Sequence, residues 1–194
     1  MTAFLILASA SPRRRELLEE IGIECEVIPS GVDEEFLEGE TPVEHVKRLS
    51  REKCSAISSP VPDAWILGAD TIVLIDGEIL GKPGTPDEER HMLMKLSGRE
   101  HAVITGFSII NRNADVVVSD AVESRVVFKE LSEDEIAWYA RSMEPYDKAG
   151  GYAVQGMASC FIIEIHGSYT NVVGLPVCEV VSALKKVGVV DFSK

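Results

Sequence analysis

The chain opens with a short run of apolar residues that stops abruptly at small and polar ones. Residues 4–8 are all apolar, and a continuous run of this kind is typical of a strand that is buried on both faces. Ser11 followed by Pro12 is a common helix start, since a serine side chain can cap free backbone N–H groups and proline fits the first helical position. The pattern therefore predicts a strand that leads directly into a helix over 13–21.

The rest of the chain alternates between two spacings. Apolar residues at every second position predict strands, whereas apolar residues three or four positions apart after a capping residue predict helices. Two long alternating segments, 101–111 and 115–128, are joined by a short polar connection and therefore predict a β-hairpin. The remaining predicted elements are strands at 24–28, 65–75, 78–80 and 159–166, helices at 42–58, 86–96, 132–142 and 177–187, and loops at 30–40, 144–157 and 169–176.

Because strands and helices are mixed along the chain and a long antiparallel hairpin lies in the middle, we expect an α/β fold. Its mixed β-sheet would be flanked by helices. The 194 residues are expected to form a single domain, 1–194. The proline-rich segment 59–63 is the clearest linker, and a division there would separate an N-terminal lobe from a central one, with a cleft between them.

Net charge and apolar content disfavour some classes of function. The chain has 19 Lys and Arg residues against 32 Asp and Glu residues, a formal net charge of −13. Such an acidic chain repels a phosphate backbone, so we expect no nucleic-acid partner. No apolar run approaches the ~18 residues of a membrane span, and the four cysteines form no metal-binding or redox spacing. We therefore expect a cytoplasmic protein with no membrane partner, whose cysteines are free core thiols.

The first strand–helix junction carries residues that favour phosphate binding. Ser9 precedes the helix, and arginines occupy positions 13–15 in its first turn. Backbone N–H groups at a helix start, hydroxyl groups and guanidinium groups together favour an anion, whereas arginines alone would oppose the helix dipole there. The alternative is a solvated basic turn that Glu16, Glu19 and Glu20 balance at helical spacing.

Polar residues in four further segments are candidates for a functional site. Asp70 interrupts an apolar strand, where it suits a metal ligand or a general base, or else pairs structurally with a buried lysine or a backbone amide. Lys82 follows a strand end and either reaches into a cleft or stays an exposed turn residue. Gln155 lies in the glycine-rich loop 144–156, which either binds a ligand or is an ordinary surface loop. The acidic segment 33–40 could hold a cation, but a solvated loop is the favoured interpretation.

Seven short motifs follow one another over nearly the whole chain. Each is weakly specific alone, and their joint occurrence in a fixed order is highly specific. They are SASPRR at 9–14, GADT at 68–71, GKP at 81–83, TG at 105–106, EPYDKAGGY at 144–152, QG at 155–156 and GSYTNVVGLP at 167–176.

With these motifs in this order, the chain resembles the Maf family, whose members are nucleoside triphosphate pyrophosphatases first linked to inhibition of septum formation. The resemblance implies a fold similar to that of the inosine triphosphatase group, an elongated mixed sheet with a central cleft between two lobes. It also implies a reaction in which water cleaves the bond between the α- and β-phosphates, which yields a nucleoside monophosphate and pyrophosphate. The family requires a divalent metal cation, usually Mg²⁺ or Mn²⁺.

The resemblance also assigns roles to individual residues. Asp70 matches the family's proton acceptor and is the expected metal ligand. Arg13, Thr71 and Gln155 match positions that separate the branch acting on dTTP and UTP from the branch acting on 7-methyl-GTP, and these residue types fit the pyrimidine branch. The Gln155 amide can donate to O4 and accept from N3–H of uracil or thymine, whereas cytosine presents the reverse pattern.

Four further residues match positions that are expected to contact phosphates: Ser9, Arg14, Lys53 and Lys82. A triphosphate carries several negative charges, so the cationic side chains and the metal would neutralise the charge that builds up as water attacks phosphorus. Lys53 lies on the second predicted helix, where a surface lysine is the alternative interpretation.

The expected partner is therefore a nucleoside triphosphate substrate, and exposed strand edges together with the resemblance allow a homodimer. Two alternatives stay open. One is a pyrophosphatase for 7-methyl-GTP or another non-standard nucleotide, and the other is a nucleotide-sensing regulator of septum formation. Asp70 on an apolar strand favours chemistry, since an anion-binding site gains nothing from a nearby carboxylate without a metal.

Overall fold

A computed structural model describes residues 4–192 of the chain. It confirms the predicted strands and helices, with ends that differ by a few residues. The strands are β1 Leu5–Leu7, β2 Glu26–Val27, β3 Trp65–Ile75, β4 Glu78–Leu80, β5 Glu100–Asn111, β6 Val116–Phe128 and β7 Ile162–His166. The helices are α1 Pro12–Glu20, α2 Pro42–Ser58, α3 Pro86–Leu96, α4 Glu133–Ala140, α5 Tyr169–Val173 and α6 Val177–Lys186.

The predicted turn at 169–176 is wrong in its first half, because α5 is a short helix. Its sequence is rich in β-branched residues, which favour helices weakly, so tertiary contacts hold it. The Ser168 hydroxyl accepts from the Asn171 backbone N–H at 3.2 Å. The buried Asn171 amide then donates to the Val103 carbonyl at 3.0 Å. The first contact is a local cap that spans three residues, whereas the second joins residues 68 positions apart and could not be predicted from a local pattern.

The strands form one mixed sheet in the order β2-β1-β3-β5-β6-β7, and β4 pairs with β3. β1 runs parallel to both β2 and β3, whereas β3 and β4 form a tight antiparallel hairpin. β7 runs antiparallel to β6. The mixed α/β class is therefore confirmed.

The described residues group into two compact units. The first unit comprises the described parts of Met1–Asp70, Thr105–Val122 and Gly174–Lys194, and the second comprises Thr71–Ile104 and Glu123–Val173. The chain passes from the first to the second within β3. The single domain 1–194 and the lobe division near 59–63 stay predictions.

In the first unit, α2 packs closely on the sheet because two strand residues lack side chains. A β-carbon at Gly68 of β3 would lie 2.4 Å from the Ser50 carbonyl oxygen. A β-carbon at Gly106 of β5 would lie 2.4 Å from the Val46 backbone. Real β-carbons do not approach other atoms this closely. The helix and the strands therefore meet backbone to backbone.

In the second unit, α3, α4 and the strand ends enclose an aromatic core. Tyr139, Phe128 and Phe161 are fully buried there, together with Leu93 and Leu96 of α3. The aromatic rings meet edge to face, as in the 5.4 Å contact between Tyr139 and Phe161. This core supports the glycine-rich loop, which contains two short 3₁₀ turns, Pro145–Asp147 and Ala149–Gly151, and is followed by a third, Met157–Phe161.

The cysteine prediction is correct only in part. All four cysteines are free, and Cys54 is buried on the inner face of α2. Cys160 and Cys178 are exposed and Cys25 is half-buried, so the prediction of core thiols is wrong for these three. Within residues 4–192, no helix is both long and apolar enough to cross a membrane.

Candidate functional site

A buried lysine joins two carboxylates in the first unit. The Lys53 ammonium donates to Asp70 Oδ1 at 2.7 Å and to Glu34 Oε1 at 2.6 Å. The side chains of Lys53 and Asp70 are each only 7% exposed. Water hardly screens such a pair, so its members affect one another strongly. The structural alternative for Asp70, a pairing with a buried lysine, is therefore present, but the lysine also contacts a second carboxylate.

The positions of Lys53 and Asp70 follow from the packing of α2 on β3. Side chains two residues apart on a strand point to the same face, so Asp70 faces the helix on the same side as Gly68. Lys53 lies on the buried stripe of α2 that includes Leu49 and Ile57. The close helix–strand contact at Gly68 therefore brings the ammonium and the carboxylate together. The surface interpretation of Lys53 is wrong.

Arg14 forms a second buried cation in the same unit. Its Nη1 donates to Ser9 Oγ at 3.0 Å, and its Nε donates to the Gly174 carbonyl at 2.7 Å. Burial lowers the pKa of Arg14, and the nearby carboxylates of Asp70 and Glu34 oppose this shift. Arg14 therefore lies within electrostatic reach of both carboxylates, next to the Ser9 hydroxyl.

The arginines of the first helical turn divide between two roles. Arg15 is exposed and pairs with Glu19 at 2.6 Å one helical turn later. This pairing agrees with the alternative prediction of a solvated basic turn that glutamates balance. Arg13 is half-buried, and Arg14 is buried among the groups described above. Ser11 is the N-cap residue of α1, but its side chain makes no capping bond; its backbone N–H donates to Ser9 Oγ at 3.2 Å instead.

The acidic segment 33–40 is an irregular loop with seven exposed residues, as the favoured interpretation expects, but side chains of α2 hold it at several points. Arg48 of α2 donates to Glu40 Oε1 at 2.7 Å and to the Glu35 carbonyl at 2.9 Å. His45 lies 3.1 Å from Glu40 and stacks on Phe36, with 4.0 Å between the ring centroids. These contacts hold the segment that carries Glu34.

Arg48 also determines the protonation of the buried carboxylate in this segment. Hydrogen bonds from Arg48 lower the pKa of Glu40 to about 2, although its burial opposes the shift. The same bonds raise the pKa of Arg48. Above the ordinary carboxylate pKa near 4.5, the pair therefore contributes to stability, and the contribution is lost as the pH falls towards 2.

Replacing Arg48 with methionine should lower the free energy of unfolding by about 1–3 kcal/mol at pH 7, since Glu40 would lose its charged hydrogen-bond partner. The loss should be smaller at pH 4, where part of the unfolded chain already carries the Glu40 proton. Urea denaturation at both pH values measures it, with Arg51→Met as the control, because Arg51 is an exposed arginine of the same helix. Equal losses in the two variants would contradict this role of Arg48.

Three of the predicted site residues lie in the second unit. Thr71 follows Asp70 in β3 and is half-buried, whereas Lys82 and Gln155 are exposed. A backbone hydrogen bond of 2.9 Å from Gly150 to Gly81 ties the glycine-rich loop to the turn that carries Lys82. The other five predicted residues, Ser9, Arg13, Arg14, Lys53 and Asp70, all lie in the first unit.

Two carboxylates of the first unit, Asp70 and Glu34, are suited to hold a metal cation together with a phosphate ligand. Across residues 4–192, no cluster of three or more His, Cys, Asp or Glu side chains is placed to hold a metal ion by itself. Asp70 and Glu34 nevertheless converge on one point, where both contact the Lys53 ammonium. Mg²⁺ in nucleotide sites is commonly held by one or two carboxylates together with substrate phosphates. These two carboxylates therefore fit such an ion.

Comparison with known families identifies the chain. The family model described as Maf, Maf-like protein, matches residues 4–187. The chain belongs to the Maf family. The family resemblance that the seven motifs carry is therefore confirmed.

Named relatives of this Maf chain cover nearly all of it. A dTTP/UTP pyrophosphatase of Syntrophus aciditrophicus (strain SB) is 60% identical over 193 residues, which are 100% of this chain and 94% of that protein. A dTTP/UTP pyrophosphatase of Geotalea uraniireducens (strain Rf4) is 50% identical and covers 96% of both chains. Among solved structures, the Staphylococcus aureus Ham1 protein is 13% identical, covers 94% of this chain and 98% of its own, and has a TM-score of 0.49. That structural likeness is too slight to support a conclusion.

Glu34 is the member of the candidate site that the sequence pattern did not reveal. It lies in an irregular segment, far along the chain from both Lys53 and Asp70, so no local spacing connects them. Lys53 itself carried a usable signal, because it stands among Leu49 and Ile57 on the apolar stripe of α2. A lysine on such a stripe is buried only when it has partners.

Proposed function

We propose that this Maf chain is a nucleoside triphosphate pyrophosphatase that hydrolyses dTTP and UTP to the monophosphate and pyrophosphate. The names of its relatives support the substrate class. The arrangement of Lys53 between Asp70 and Glu34, with Arg14 nearby, carries the proposal. It combines buried cations for an anionic substrate with a carboxylate that can accept a proton.

Phosphate binding is assigned to the cationic and hydroxyl side chains. Arg14 offers a guanidinium group beside the Ser9 hydroxyl, and both can donate to phosphate oxygens. Lys53 and Lys82 are proposed to contact phosphates as point charges. Fixed positive groups of this kind stabilise negative charge that develops in the transition state, and they do so most strongly where water is scarce.

Asp70 is proposed as the proton acceptor. The water that attacks the α-phosphorus must lose a proton, and a positioned carboxylate typically contributes about 10²–10⁴ in rate to such a step. The hydrogen bond from Lys53 holds the carboxylate in one orientation, at 2.7 Å. A nucleotide phosphate that attracts the Lys53 ammonium would free the Asp70 oxygen for the water.

A divalent cation, Mg²⁺ or Mn²⁺, is proposed as the cofactor. Asp70 would hold it, together with Glu34, whose oxygen meets the same ammonium group. When bound, such an ion neutralises phosphate charge and polarises the phosphoryl group. The chain's own cations, Arg14 and Lys53, then act on the remaining phosphate charge.

Base selection is assigned to Gln155, with Arg13 and Thr71 as further specificity positions. We expect kcat/KM for UTP and dTTP to exceed that for CTP by at least about tenfold, because the Gln155 amide pairs with O4 and N3–H of uracil and thymine. Cytosine would leave a polar group unpaired, at a cost of about 1–3 kcal/mol. Rates of pyrophosphate release with the three nucleotides measure this. Equal values would remove this role of Gln155.

The experiment that tests the proposed function is a substrate panel at fixed Mg²⁺ concentration. Pyrophosphate release is measured with dTTP, UTP, CTP and 7-methyl-GTP. Fastest release from dTTP and UTP supports the proposal, whereas fastest release from 7-methyl-GTP supports the non-standard nucleotide alternative. Binding without release would indicate a nucleotide-sensing regulator. A homodimer and a cytoplasmic location stay predictions.

A further inference from the structure

The Glu144 carboxylate receives three donors in the second unit. Its Oε1 accepts from the Tyr139 hydroxyl at 2.9 Å and from the Ala158 backbone N–H at 3.2 Å. Its Oε2 accepts from the Met157 backbone N–H at 2.8 Å. Hydrogen bonds to an ionised group are about twice as strong as those between neutral groups. One side chain therefore fixes two successive backbone amides.

These two amides begin the 3₁₀ turn Met157–Phe161, whose own N-cap residue cannot cap it. That residue is Gly156, which has no side chain to accept from the free N–H groups. Glu144, twelve residues earlier in the sequence, supplies the missing acceptor. The turn therefore depends on a contact that no neighbouring residue can replace.

Gly156 also provides the space for the carboxylate. A β-carbon at this position would lie 2.2–2.4 Å from the three carboxyl atoms of Glu144. The backbone of Gly156 is extended, with φ −112°, so the constraint is one of space and not of conformation. Any larger residue would displace the carboxylate from the Met157 and Ala158 amides.

Gln155 lies immediately before this capped turn. Its side chain is exposed, so packing does not hold it, and the backbone sets the point from which the amide extends. On one side the Gly156 N–H donates to the Ala153 carbonyl at 3.2 Å. On the other side Glu144 holds the two amides that follow Gly156. The Ser159 N–H also donates to the Gly156 carbonyl at 3.1 Å. Without Glu144, that bond alone would hold the backbone after Gln155, and local opening would become easier.

We infer that Glu144 is a positioning residue for base selection, because it fixes the backbone that presents the Gln155 amide. The inference rests on the proposed function and deepens it. Glu144 itself contacts the chain and not the base. The substrate feature that it indirectly selects is the donor–acceptor edge of a uracil or thymine ring.

The direct test is Glu144→Gln, measured as the ratio of kcat/KM for UTP to that for CTP. A glutamine has one acceptor oxygen, so its NH₂ group must face at least one of the three donors. We expect the ratio to fall about tenfold, mainly through a higher KM for UTP. Glu164→Gln is the matched control, because Glu164 is an exposed glutamate of β7, and it should leave the ratio unchanged.

A double-mutant cycle separates positioning from general stability. In a Gln155→Ala background, Glu144→Gln should change the UTP-to-CTP ratio less than about twofold, because the group that it positions is absent. A tenfold effect in that background would overturn the inference. In Gly156→Ala the added methyl group occupies the space of the Glu144 carboxylate and displaces it. This variant should lower the UTP-to-CTP ratio as Glu144→Gln does, and it tests the inference if Glu144→Gln does not fold.

Failure of the inference is distinguishable from failure of the proposed function. If the unsubstituted chain prefers UTP over CTP and Glu144→Gln keeps that preference, the inference alone is wrong. If the unsubstituted chain releases pyrophosphate without discriminating between UTP and CTP, both the role of Gln155 and the inference are wrong. If it releases no pyrophosphate at all, the proposed function fails and the inference fails with it.

Discussion

Replacing Asp70 with asparagine should reduce pyrophosphate release from UTP by about 10²–10⁴-fold, because the attacking water would lose its proton acceptor. The fold should survive, since the asparagine carbonyl can still accept the 2.7 Å hydrogen bond from Lys53. Binding of UTP should stay within a few-fold of its original strength, because Arg14 and Lys53 remain. The variant therefore separates catalysis from binding.

Single-turnover rates and calorimetric titration with UTP measure the two quantities for Asp70→Asn. Asp120→Asn is a suitable control, because Asp120 is an exposed aspartate of β6. It should change neither quantity. Turnover near the original level in Asp70→Asn would show that another group accepts the proton. A parallel loss of turnover and binding would assign Asp70 to holding the nucleotide or its cation and not to proton transfer.

Replacing Glu89 with glutamine should make the chain more stable at neutral and alkaline pH. Glu89 is fully buried in α3, and neither of its carboxyl oxygens has a hydrogen-bond partner among the described residues. Its carboxyl group lies against the Gly151 backbone, where a β-carbon would come within 1.8 Å of Oε2. Burial raises the pKa of Glu89 to about 9. The folded chain therefore holds a proton on Glu89 at neutral pH.

The direction of the pH effect follows from this proton. Between the ordinary pKa near 4.5 and the raised value near 9, the folded state keeps a proton that the unfolded state releases. Stability is therefore lost as the pH rises, by about 1.4 kcal/mol per pH unit. Glu89→Gln removes this titration, so its stability advantage should grow steadily with pH.

Urea denaturation of the original chain and of Glu89→Gln at pH 5, 6, 7 and 8 tests this. Glu133→Gln serves as the control, because Glu133 is an exposed glutamate in the first turn of α4. The difference between Glu89→Gln and the original chain should widen across the series. A constant difference would show that Glu89 does not hold a proton over this pH range in the folded chain.

Local signals in the sequence predicted much of the fold. Thr41 and Ser132 each begin a helix with a complete capping box, in which the side chains of Glu44 and Glu135 return the hydrogen bond. In the two strands of the β5–β6 hairpin, apolar and polar residues alternate along the strand, and the length of the alternating segments predicted where the strands begin and end. These features depend on residues within a few positions of one another, and they are therefore readable from the sequence.

The candidate site was predictable only where local and family signals coincide. Asp70 stood out because a carboxylate interrupts a buried strand, and the family resemblance pointed to Arg14 and Lys53. Glu34 and Glu144 could not be found in this way, because each acts on residues that are distant in sequence. Glu34 meets Lys53 nineteen positions later, and Glu144 caps a turn that begins thirteen positions later. Such pairings come from the packing of whole elements.

The contact of α2 with β3 and β5 sets the spacing between Lys53 and Asp70 through two absent side chains, at Gly68 and Gly106. The distance between the backbones that carry the ammonium and the carboxylate is thus fixed by direct backbone contact, and the two side chains have only to span it. An attempt to transplant the charged residues onto another scaffold would fail unless the glycines that allow this approach were carried over as well.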